Sequence, residues 1–170
     1  MLNKKQIFNI VYAVALIGAV TSCIGILNEL LQVVQLHEVR VTDFVTFKND
    51  KFWIPFWFYL IGFLIGAAAV VFVLLQFKHP QKTRYTNIVL IVAMVLLLVL
   101  SFCMLYSFRF YWQKDDSYSL GYSSYLVIYT FRSSVMSLIL HLGTILVCNI
   151  IDKSHCKKAA SAEVAEESEN

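Results

Sequence analysis

Four stretches of the chain are apolar almost without interruption, at about 7–31, 53–76, 87–108 and 125–151. Each has the roughly 20 mainly apolar residues that a helix needs to cross a bilayer. Polar connectors separate them. Pro80, in "KHPQK", cannot continue a helix and marks the turn after the second stretch. Pro55 falls in the first turn of the second, where a missing N–H costs nothing. The pattern predicts an all-α integral membrane protein, a four-helix transmembrane bundle with two short extracytoplasmic loops. Residues 1–158 make one membrane unit, and the acidic, aromatic-free tail at 159–170 reads as disordered.

The connectors carry patterns of their own. The first alternates Val39, Val41, Val45 and Phe47 with polar positions, and "KND" supplies a turn. A small β-hairpin and an irregular loop both fit. The third is rich in Tyr and Ser, with a bend at Gly121.

Composition agrees with the span pattern. Of 170 residues, 59% are hydrophobic and 15% charged, against about 25% charged in ordinary soluble domains. The net charge of +3 matters less than its placement. Lys4 and Lys5 precede the first span, Lys78, Lys82 and Arg84 crowd the second connector, and Lys153, Lys157 and Lys158 follow the fourth span. The other two connectors mix both signs. Basic residues near span ends stay on the cytoplasmic side. That rule places both termini and the 2–3 connector inside a cell membrane. Trp53, Trp57, Tyr59, Tyr106, Tyr111, Trp112, Tyr125 and Tyr129 gather at the opposite ends, as headgroup-seeking rings do.

Several chemistries are excluded or weakened. A four-helix quinone-linked thiol oxidase needs outer cysteine pairs, and none of the four cysteines lies in an outer connector. His155 and Cys156 are too small a cluster for a metal. No cofactor loop is present, and the basic residues are explained by orientation, not by nucleic acid. "VTSC" at 20–23 loosely resembles a bacterial lipobox, but the apolar run continues past Cys23. An uncleaved first span is expected.

Helix spacing sorts the spans into faces. The first carries a stripe of Ala15, Gly18, Ser22, Gly25, Glu29 and Gln32. The second has Gly62, Gly66 and Ala69. The fourth has Ser134, Ser137, His141, Thr144 and Cys148. Small residues allow close helix approach in lipid, and hydroxyls bond across the seam. The third span shows no such face. The expectation is that spans one, two and four meet most closely and the third is the most lipid-exposed.

Two ionisable residues stand inside the fourth span. Arg132 and His141 are nine positions apart, which puts them on opposite faces at 3.6 residues per turn. Arg132 lies about 28 Å, and Glu29 about 33 Å, above the inner ends of their helices at 1.5 Å per residue. A charge left alone at the membrane centre costs at least ~2.5 kcal/mol. A Glu29–Arg132 pair would relieve both charges; independent snorkelling to the headgroups is the alternative. His141, about 15 Å above the inner end, suits an interhelical hydrogen bond, or a proton or ligand site with Ser134, Ser137 and Thr144.

These features point first to a non-enzymatic multi-pass protein. It would be an accessory, scaffold or sensor subunit acting through its outer loops or basic inner loop. Its partners would be the bilayer and another membrane protein or further copies of itself. The alternative is a small oligomeric transporter or channel using the polar intramembrane residues. Small multidrug exporters also place a carboxylate in the first of four spans, but Glu29 lies near the outer end.

Overall fold

The computed structural model describes the backbone of residues 4–38, 53–78, 83–111 and 121–169, and the side chains of 6–34, 54–76, 83–107 and 128–152. The protein is four helices: α1 (Lys4–Glu38), α2 (Trp53–Lys78), α3 (Thr83–Tyr111) and α4 (Gly121–Glu169). Each contains a segment long and apolar enough to cross a membrane: Gln6–Val34, Ile54–Gln76, Thr83–Ser107 and Ile128–Asp152. Among the described residues there is no strand. The first connector, with its hairpin pattern, and most of the third lie outside the described residues.

The helices run up and down in sequence order. We call the end where α1 and α3 begin the base, and the end where α2 and α4 begin the top. Neighbours in sequence are neighbours in space, and α4 closes the ring against α1. The buried positions recur at three- and four-residue steps. On α1 they are Ala15, Ala19, Ser22, Ile26, Leu30 and Val33; on α4 they are Phe131, Val135, Leu138, Leu142 and Ile145. Steps averaging close to the 3.6-residue turn keep one seam of each helix turned to its partners.

Two expectations about the spans are corrected. First, α2 and α4 stand across the diagonal and touch sparsely, while α3 packs against both. Second, α3 is not the most exposed helix, since 28% of its apolar window is buried against 22% for α1. Its seam is Thr86, Leu90, Ala93, Leu97, Ser101 and Met104. Outward residues such as Ile88, Val92 and Val99 are as apolar as the seam itself. Hydrocarbon solvent removes the polar contrast that would mark a face in water.

The tail at 159–170 follows the fourth span directly. α4 continues without a break to Glu169, across residues read from composition as disordered. "KKAASAEVAEESE" is rich in Ala, Glu and Lys, which have high helix propensity. Extending an existing helix also avoids the nucleation cost that a free segment must meet.

Candidate functional site

The α1 small-residue stripe and the α4 polar stripe meet along one antiparallel seam. A Cβ built on Gly18 would land on the imidazole ring of His141. Ser22 Oγ and Ser137 Oγ are 3.0 Å apart and hydrogen-bonded. A Cβ on Gly25 would lie 3.9 Å from Ser134 Oγ. As numbers rise on α1 they fall on α4, so small residues admit polar ones in a single register. His141 is therefore half-buried between the two helices, and only glycine at position 18 leaves room for its ring. Thr144 donates instead to the Leu140 carbonyl of its own helix at 2.9 Å.

Carried one step further, this register sets Glu29 level with Thr130. Thr130 Oγ1 is hydrogen-bonded to the hydroxyl of Tyr59, at 2.9 Å, and Glu29 is near enough to Tyr59 to act on it electrostatically. Arg132 is exposed. Two residues past Thr130, it lies about 200° further round the helix. The structure thus does not bring Glu29 and Arg132 together as an ion pair. Glu29 is half-buried and Arg132 is exposed. Tyr59 also departs from expectation. It is fully buried, not a headgroup anchor, with its ring edge-on to Phe131 at 4.9 Å.

The α2 glycines act as sockets. A Cβ on Gly62 would meet Phe131 Cε2 at 3.3 Å, and one on Gly66 would meet Leu138 Cδ2 at 2.7 Å and Cys23 Sγ at 2.9 Å. The Gly-xxx-Gly face admits α4 side chains into the centre. It does not bring the two backbones together.

A polar cluster at the base went unread in the sequence. Asn149 is 5% exposed in the middle of it. Its Nδ2 donates to Asn87 Oδ1 at 2.9 Å and to Gln76 Oε1 at 3.3 Å. Gln76 Nε2 donates back to Asn149 Oδ1 at 3.1 Å. Three carboxamides thereby tie α2, α3 and α4. Gln76 and Asn87 looked like span boundaries because they stand at the ends of apolar runs, where polar residues are ordinary. Only the fold shows that they point inward.

Two cavities adjoin this cluster. One of about 650 Å³ with a mixed polar and apolar lining sits at the base, with Asn9, Tyr12, Gln76, Thr83, Asn149 and Asp152 among its walls. An apolar groove of about 750 Å³ runs between α1 and α4, past Val11, Met94, Leu140, Gly143 and Val147. Phe8 and Cys148 belong to both walls.

No group of three His, Cys, Asp or Glu side chains with metal-binding geometry occurs among the described residues. Every buried side-chain nitrogen and oxygen among them has a hydrogen-bond partner. Comparison with protein-family models, with curated proteins and with solved structures finds no match to this chain.

Proposed function

We propose that this chain is a non-enzymatic, multi-pass protein of the cell membrane that serves as an accessory, scaffold or sensor subunit for another membrane protein. The observation that carries the reading is the engagement of its intramembrane polar groups with one another. Ser22 is bonded to Ser137, Tyr59 to Thr130, and Gln76 and Asn87 to Asn149. Intramembrane ionisable groups that serve a pathway face a cavity or a partner station. His141 instead packs on the backbone of Gly18. The polar stripe of α4 thus acts as seam, which weakens the case for a pore lined by Ser134, Ser137 and Thr144. The basic residues at both termini and in the 2–3 connector support a cytoplasmic base.

Affinity purification of the full chain in mild detergent tests this reading. A second membrane protein recovered in stoichiometric amount is expected. A pure homo-oligomer that conducts protons or solute after reconstitution would overturn it in favour of transport.

A further inference from the structure

Polar atoms open toward the membrane along the outward side of the α1–α4 seam. Thr21, Ser133 and Ser137 are exposed there, with Gly25, Ser134 and His141 half-buried beside them. The apolar segments of α1 and α4, Gln6–Val34 and Ile128–Asp152, have their midpoints at residues 20 and 140. Thr21 and His141 therefore lie at the middle of the membrane, and Ser133 and Ser134 about 10 Å above it. Headgroups begin about 15 Å from the midplane, beyond the reach of a serine.

Among the described residues no hydrogen bond reaches the His141 imidazole or the hydroxyls of Ser133 and Ser134. Their polar atoms are not shut inside either, since every buried side-chain nitrogen and oxygen has a partner. The imidazole packs on Gly18 and leaves its nitrogens open at the edge of the seam. The side chains of α1 and α4 are described for about 18 Å of helix above and below this level. The rest of the chain is too far along the helices to supply the missing partners. A polar group without a hydrogen bond in hydrocarbon is costly. Acyl chains cannot provide the bond, so what covers this shoulder is another polypeptide helix.

We propose that the shoulder is the interface of a two-fold dimer, in which a second copy of this chain supplies the missing hydrogen bonds. Two copies inserted the same way share an axis along the membrane normal, so each residue meets the other copy at its own depth. Hydroxyls and a neutral imidazole both donate and accept, so the set complements itself. No Asp, Glu, Lys or Arg falls in 18–25 of α1 or 133–141 of α4, and like charges are not brought together. Arg132, next to Ser133, is turned about 100° away from it. Thr21 with Gly25, and Ser133 with Ser137, each place two small residues four apart, the spacing that lets helices approach closely. The dimer goes beyond the accessory role and is tested apart from it.

Donor- and acceptor-labelled copies of the purified full chain in phosphatidylcholine vesicles, diluted with lipid, give the dissociation constant by energy transfer. His141→Phe keeps a ring over Gly18 and removes both nitrogens. It should weaken the dimer about threefold or more, the effect of one lost interhelical hydrogen bond. Thr21→Phe, at an exposed position, should abolish the dimer by holding the helices apart. Single cysteines at Thr21 and Ser133, in a cysteine-free background, should cross-link two copies on oxidation. One at Val99, exposed on α3, should not. If His141→Phe lowers the thermal midpoint, Ser133→Ala at its exposed site removes a hydroxyl in its place. A chain that stays monomeric at every dilution would overturn the proposal. So would a dimer that Thr21→Phe and the polar-removing variant both leave intact, or one that cross-links through Val99 and not through the shoulder. No other membrane protein is present, so these results are independent of whether affinity purification recovers one.

Discussion

Gly18 and His141 show how a polar residue in a span can be read correctly as present and remain open as to purpose. Against a hydrocarbon background each polar side chain stands out, so Ser22, Ser137 and His141 were legible from spacing alone. Their pairing was not, because spacing on one helix gives a face and not the rotation or height of the neighbour. Gly18→Val should destabilise the bundle by about 1–3 kcal/mol, the usual cost of overpacking, read as a fall in thermal midpoint in detergent. His141→Ala should restore much of that loss in the double variant, because it removes the ring that the new side chain meets. Asn149→Leu tests the base cluster. It strands the carboxamides of Gln76 and Asn87, at about 1–3 kcal/mol for groups left unsatisfied. A midpoint unchanged by Asn149→Leu would mean that the three carboxamides do not tie the helices.

Among the elements, the seam of α3 was the least legible. Thr86, Leu90, Ala93, Leu97, Ser101 and Met104 recur at three- and four-residue steps, but α3 is apolar all round, so periodicity carries little contrast. The α2 glycines were legible as a face, and only the packing shows that they receive side chains. Gly66→Ala should therefore destabilise, since its Cβ meets Leu138 and Cys23 closer than side chains normally approach. Contacting residues couple by 0.5–3 kcal/mol in general; for Gly66→Ala with Leu138→Ala a coupling of about 1 kcal/mol is expected. A double-mutant cycle on unfolding checks it, and strict additivity would show that the two do not touch. The continuous α4 can be tested by circular dichroism. Removing the residues after Asp152 should reduce the helical signal in proportion to the residues lost, whereas an unchanged total signal would indicate a non-helical tail.

For the molecule as a whole, four spans in up-and-down order were legible because length and hydropathy decide them. The ring order was not, since it depends on which seams fit. Orientation rests on charge placement and calls for its own experiment. Single cysteines at Asn49 and Ser119, in a cysteine-free background, should react with an impermeant thiol reagent in intact cells. One at Gln81 should not, and the reverse pattern would invert the molecule. The central claim is that the intramembrane polar groups hold helices together and do not form a path. Proton flux into vesicles containing the purified chain, under an imposed pH gradient and potential, tests that claim most directly. The account predicts flux no faster than in protein-free vesicles. Rapid flux that His141→Ala abolishes, with the thermal midpoint of that variant intact, would contradict it.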